Sequence, residues 1–383
     1  MRKLFFLLAI FLPLPWIGYA QDIGKSEAQQ YLLIGTYTKT KSEGIYIYTF
    51  DPQTGAVKHV STARSKNNPS YLSIAPDKKH IYAVGEKGLE RTGTVSAFEL
   101  DHATGQLQFL NTATIEGNGP CYINTDNKGH HVLVGNYASG NLSVLQIQVD
   151  GKVGTSLQTI RHKGSSIDSS RQDKPHVHCV EFSPDYQYLY VPDLGIDQVK
   201  VYNYDRDAAL PLKESTLSHV ALPPGSGPRH ITFHPNGKWA YLIHELDGKV
   251  SVYHYEQGKL IEQQTISTLP EAFNGTISGA DIHVSPDGKF LYASNRGDLN
   301  NLVYYAIDRS GRLQYKGQQS AGGKTPRNFM IDPSGNFLLA ANQDTDNVVL
   351  FKRNLTTGAL TPIGQEIKVP MPVCLKMVAI KKQ

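Results

Sequence analysis

Three arginines, a histidine and a glutamate stand at matching places along this chain. Arg229 opens and Glu245 closes the stretch GPRHITFHPNGKWAYLIHEL, which begins at Gly227. His178 lies near the start of HVHCVEFSPDYQYLYVPDL, Arg296 ends SGADIHVSPDGKFLYASNR, and Arg327 follows the opening Thr-Pro of TPRNFMIDPSGNFLLAANQ. A guanidinium is a permanent cation with a planar fork of donors, and crowded guanidiniums need acceptors. Glu245 and Glu86 are too few to satisfy three of them. An anionic ligand carrying a carboxylate or phosphate would complete the set.

Whether these residues meet depends on the elements that carry them. Each stretch has a short β-rich run, a turn of the Ser-Pro-Asp-Gly kind, and a second run rich in Tyr, Leu, Val and Ala. NPSYLSIAPDKKHIYAVGE from Asn68 and GPCYINTDNKGHHVLVGNY from Gly119 repeat the pattern. Gly, Asn and Asp tolerate the backbone angles of such turns, so each stretch is predicted to be a β-hairpin. The interval between copies is roughly fifty residues, the length of a four-stranded propeller blade. Two further strand-like runs follow each hairpin, as KVSVYHYE and KLIEQQTIS do after Glu245. YLLIGTYT at Tyr31 reads as a second strand without a first, and PMPVCLKMVAI near the end as a first strand without a second. Pairing the two closes a ring and leaves only short, protected edges. The fold is predicted to be all-β, a seven-bladed propeller with four antiparallel strands per blade.

Hairpin counting from the turns sets Arg229 opposite Glu245, Cys121 opposite Tyr137, His178 opposite Asp193 or Leu194, Ala280 opposite Arg296, and Arg327 opposite Gln343. First strands of propeller blades line the central channel, so these pairs are expected to ring one mouth of it, joined by Tyr37, Glu86 and His176. The plainer account is that propeller mouths fill with polar side chains and water, and that Arg–Glu pairs hold blades together. It applies most readily to Glu86 and Arg327 taken singly. Asp77, Asp185, Asp287 and Asp332 belong to turns, and His230 and His234 read as hydrogen-bonded core histidines.

PHVHCVEFSPD, GPRHITFHPNGKWAYLIHEL, ADIHVSPDGKFLYASNRG and TPRNFMIDPSG closely resemble the seven-bladed β-propeller lactonases. That family includes the propeller-type bacterial 6-phosphogluconolactonases, and the fungal carboxymuconate-lactonising enzyme is similar to them. The likeness runs through essentially the whole mature chain, including the polar run RHKGSSIDSSRQDKPHVH. It implies a catalytic set of His178 or His176 with Arg229, Glu245 and Arg296, and hydrolysis of a sugar lactone by activated water. A histidine of near-neutral pKa would take the water's proton, one arginine would stabilise the oxyanion, and Glu245 would orient an arginine or protonate the leaving oxygen. Arg327, Tyr137, Glu86 and Gln343 are expected to hold the substrate. A lactonising cycloisomerase acting on a dicarboxylate would suit the same arginines. A non-catalytic exported binding propeller would instead show an exposed aromatic patch and no Arg/His/Glu cluster.

Composition narrows the remaining classes. The 383 residues are 40% hydrophobic and 19% charged with a formal charge of +4, ordinary for a globular protein and without any Lys/Arg run for nucleic acid. Residues 1–20, MRKLFFLLAIFLPLPWIGYA, have the positive start, short apolar stretch and small-residue end of a secretory signal. Pro13 and Pro15 interrupt it as a membrane span. Residues 21–383 are therefore expected to form one exported domain, periplasmic or secreted and with no membrane attachment after cleavage. The leader sets the chain apart from cytosolic phosphogluconolactonases, whose pathway operates inside the cell. Cys121, Cys179 and Cys374 read as small buried residues rather than a disulfide framework. HExxH, Cys/His zinc spacing, an EF-hand loop, GxSxG and a phosphate-binding loop are all missing from the sequence, so no metal or cofactor is expected.

Overall fold

The computed structural model describes residues 28–86 and 92–381; the expected leader, residues 1–20, lies outside them. Among the described residues, seven sheets of four antiparallel strands each succeed one another along the chain and form the blades of a propeller. Blade 1 joins the two ends: its inner strand is Pro372–Ala379, and Gln30–Thr36, Gly44–Phe50 and Val57–Arg64 follow outward. Gln30 pairs with Ala379 and Gly35 with Cys374, the closure expected from the two unpartnered runs. Blades 2 to 7 start from the inner strands Leu72–Ile74, Pro120–Thr125, Glu181–Phe182, Pro228–Phe233, Gly279–Val284 and Pro326–Ile331. No helix among the described residues is long and apolar enough to cross a membrane.

The hairpin turns owe their shape to side-chain acceptors and to glycine. Asp77 accepts from the Lys79 and His80 amides, Asp287 from Ser285 and the Lys289 amide, and Asp332 from the Ser334 and Phe337 amides. Asp185 does the same with Ser183 and the Gln187 amide. Gly237 and Gly288 take φ values of 71° and 69°, which favour a residue without Cβ. Second strands such as Phe290–Asn295 and Phe337–Asn342 are buried along their whole length, since sheets cover them on both faces.

A tyrosine in the second strand ties most blades to the next. The hydroxyls of Tyr82, Tyr190, Tyr241 and Tyr292 donate to the carbonyls of Gly151, Gly258, Gly311 and Gly358 at 2.9, 2.7, 3.0 and 2.7 Å. Each link spans two blades and is buried. Tyr241→Phe leaves the Gly311 carbonyl unsatisfied and is expected to cost about 1–3 kcal/mol in denaturant unfolding while leaving the channel mouth unaltered. A loss below about 0.3 kcal/mol would show the link to be dispensable.

The inner strands depart from the register that hairpin counting predicts. Pro228 pairs with His244 but His230 with Ile243, so Arg229 is an extra residue in a β-bulge. The same slip isolates Cys121 between Pro120 and Tyr122, and Arg327 between Pro326 and Asn328. In consequence the Glu245, Tyr137, Arg296 and Gln343 amides donate to the carbonyls of Gly227, Gly119, Ser278 and Thr325, two residues before the expected partners. In blade 4, Val177 rather than His178 bridges Asp193, and the His178 amide donates to Pro192. A bulge inserts one unpaired residue and turns its side chain out of the pleat. Here it occurs next to the channel mouth.

Candidate active site

In six of the seven blades a polar residue stands just past the second strand; in blade 4 that residue is the buried Leu194. Tyr37, Glu86, Tyr137, Glu245, Arg296 and Gln343 each follow immediately on the last residue of such a strand. Five of these six line one cleft of about 360 Å³, with His178, Cys121, Arg327 and Arg171. Gln343 does not; its amide donates to Asp344 outside the cleft.

Glu245 is the centre of charge. Its Oε1 accepts from Arg171 at 2.5 Å, while Oε2 faces Arg229 at 2.9 Å and Arg296 at 3.0 Å. Burial alone would raise its pKa, but the guanidiniums of Arg296, Arg229 and Arg171 outweigh it and hold the carboxyl well below the usual range. Glu245 is thus a permanent anion. Both of its oxygens are committed to arginines, an arrangement suited to orienting them rather than to delivering a proton.

The three arginines differ in what they can reach. Arg229 is 1% exposed and does not line the cleft. Its remaining donors go to the Ala280 carbonyl and against the ring of His230, which is itself held by Asp281 at 2.8 Å. Arg229 is therefore a buried support for Glu245. Arg296 does line the cleft, with one bond to the Gly279 carbonyl at 3.1 Å and a buried Nε without a partner. Burial, with Arg229 and Arg327 nearby, brings its pKa down to about 10, so it remains charged at neutral pH. Arg327, extruded by its bulge, packs 5.7 Å from the Tyr37 ring centroid and makes no salt bridge among the described residues. Among the described residues, its guanidinium is the one lining the cleft with no carboxylate at salt-bridge distance.

Arg171 is the residue that hairpin counting missed. It lies on the long polar connection between Val153–Arg161 and blade 4, whose composition carries no strand period. The connection is pinned to blade 4: His162 bonds Asp193 at 2.6 Å, Gln172 donates to the Leu194 carbonyl at 2.8 Å, and Ser166 donates to Asp197 at 2.5 Å. Arg171 reaches the Tyr137 hydroxyl at 3.3 Å as well as Glu245. The polar run RHKGSSIDSSRQDKPHVH was the available signal, though it does not single out this arginine.

Of the two histidines, only His178 faces the cleft. His176 stacks behind Tyr137 at 4.3 Å between centroids and bonds the Tyr137 carbonyl at 2.8 Å. His178 is 4% exposed, with Nδ1 3.8 Å from the Cys121 sulfur. Burial, followed by the charge of Arg229, pushes its pKa well below the ordinary value. The expectation of a near-neutral histidine is therefore corrected: this imidazole is neutral but only weakly basic. Burial likewise pushes the Cys121 thiol up to about 12, so it is not a thiolate. All three cysteines are free and buried.

Glu86 lines the same cleft as Glu245. Ser70 donates to its Oε1 at 2.5 Å and Tyr37 also bonds it. Burial raises its pKa, against the opposing pull of Arg327, Ser70 and Tyr37. Among the described residues, no group of three His, Cys, Asp or Glu side chains is placed to hold a metal ion.

Fold and cleft together define a seven-bladed propeller with a cationic pocket lined by residues from several blades. A family model described as "Lactonase, 7-bladed beta-propeller" matches residues 31–377, and the chain belongs to that family. It is 38% identical to the 6-phosphogluconolactonase of Bacillus subtilis, over 90% of this chain and 97% of that one. A 6-phosphogluconolactonase of Formosa agariphila is 37% identical, over 90% and 99%. The solved structure of a periplasmic gluconolactonase from Pseudomonas aeruginosa superposes with a TM-score of 0.88 at 38% identity, covering 92% of this chain and all of that one.

Proposed function

We propose that this protein hydrolyses a sugar lactone, as a 6-phosphogluconolactonase or a gluconolactonase does, in the cleft at the channel mouth. The convergence of Arg171, Arg229 and Arg296 on one buried glutamate, beside an unpaired Arg327, carries the reading. The arrangement concentrates positive charge where an acyl oxygen becomes anionic. Arg296 is the oxyanion donor, fixed in position by Glu245, and Arg229 holds Glu245 from behind. Arg327, with Tyr37 beneath it, takes an anionic or hydroxyl-rich part of the substrate. His178 supplies a neutral imidazole against the reacting group, and Tyr137 shapes the wall. Because the groups are held by mutual hydrogen bonds before substrate arrives, little reorganisation is needed during the reaction.

The leader-like residues 1–20 and the likeness to a periplasmic relative support export of a single domain comprising residues 21–383. Both parts of the reading are tested on protein recovered from the cell envelope fraction, whose first residue is expected to be Gln21. Gluconolactone, 6-phosphogluconolactone and carboxymuconate are offered in turn. Turnover of one of the sugar lactones is expected. Turnover of carboxymuconate alone would make the protein a cycloisomerase, and none at all would make it a binding propeller.

A further inference from the structure

Among the described residues two carboxylates face this cleft, and their surroundings are opposite. Both oxygens of Glu245 are occupied by guanidiniums. Glu86, at the equivalent position of blade 2, makes no ion pair among the described residues, and its hydrogen-bond donors are the hydroxyls of Ser70 and Tyr37. A carboxylate clamped by permanent cations loses its affinity for protons, whereas one held by neutral hydroxyls in a buried wall keeps it. Pairs of acids whose environments diverge in this way commonly divide the electrostatic and proton-transfer roles between them. His178 does not compete well for the second role, being buried close to Arg229, Arg327 and His230.

Resting on the lactonase reading above, we infer that Glu86 is the general base of the hydrolysis, taking the proton of the water that attacks the lactone carbonyl. As the water oxygen bonds to the carbonyl carbon, its proton passes to a Glu86 oxygen and the carbonyl electron pair moves onto the oxygen facing Arg296. Collapse restores the carbonyl and breaks the bond to the ring oxygen, which receives the proton from Glu86. Glu86 ends ionised, as it began. The product is an open hydroxy acid that releases its own proton to solvent. Ser70 and Tyr37 are positioning residues in this scheme. The charged and titratable groups around Glu86 are Arg327, Lys39 and Tyr37, with Cys121 coupled to it more weakly, and burial sets the net direction of its shift, upward.

Glu86→Gln keeps the shape and an acceptor for a hydroxyl but takes no proton. Its kcat is expected to fall roughly 10²–10⁴-fold with a far smaller change in KM. The acidic limb of the kcat profile against pH, expected in the unmodified enzyme, should vanish with it. Glu86→Asp should retain part of the rate and a displaced limb. A folded Glu86→Gln enzyme with kcat within about threefold of normal and an unchanged acidic limb overturns the assignment. If Glu86→Gln fails to fold, an acidic limb unmoved in Glu86→Asp overturns it equally. Failure of the unmodified protein to open any lactone would sink the lactonase reading and this assignment with it, whereas a normal profile in Glu86→Gln sinks the assignment alone.

Discussion

Glutamine in place of Glu245 is expected to destabilise the protein by about 3–5 kcal/mol at neutral pH, because it leaves buried guanidiniums without their counter-charge. The carboxylate faces Arg171, Arg229 and Arg296 within 3.0 Å, and an amide oxygen cannot neutralise even one of them. The folded-state pKa lies below the ordinary value of 4.5, so the stabilisation is fully present above that pH. It is lost only as acid titrates the group through its depressed folded-state value. Urea unfolding of both proteins should therefore show a constant gap from pH 5 to 8 that narrows below about pH 4. Catalysis should collapse in parallel, since Arg296 and Arg171 lose the anion that fixes them. A gap under about 1 kcal/mol at pH 7 would mean that solvent or relaxation already compensates the arginines, and the description of a clamp would be wrong.

Arg296→Ala is the second large effect. Arg296 lines the cleft, whereas Arg229 does not, so Arg296 is the one of the two able to meet a substrate oxygen. Removing an oxyanion donor lowers kcat by roughly 10²–10³-fold, with KM little affected. Stability should suffer less than with Glu245→Gln, because Glu245 keeps Arg171 and Arg229. Arg296→Lys retains a charge but not the fork that reaches both Glu245 and the Gly279 carbonyl, and should recover only part of the rate. Full activity in Arg296→Ala would remove this residue from the reaction.

The ring of blades was legible because its signals are local and repeated. The Asp-centred turns, the alternating runs and the complementary ends at Tyr31 and Cys374 each point to the same architecture. The position after each second strand was legible for the same reason, and it supplied Glu86, Tyr137, Glu245 and Arg296. The one-residue slip was not. A bulge leaves the hydrophobic pattern of the inner strand nearly intact, so nothing in Pro228-Arg229-His230 declares which residue is extra. Arg171 was hidden because a loop fixed by Asp193 and Asp197 owes its path to contacts distant in sequence. His176 and His178 are separated by a single intervening residue, and only the packing of Tyr137 shows which one faces the cleft. The weak basicity of His178 likewise follows from burial beside Arg229, which spacing cannot report.

The pairing of Gln30 with Ala379 has a consequence for how the molecule is made. A ribosome emits the first of these residues long before the last, so blade 1 must wait as an unfinished sheet while its neighbours assemble. During that interval Gln30–Thr36 offers a bare strand edge to any passing chain, and only the final residues cap it.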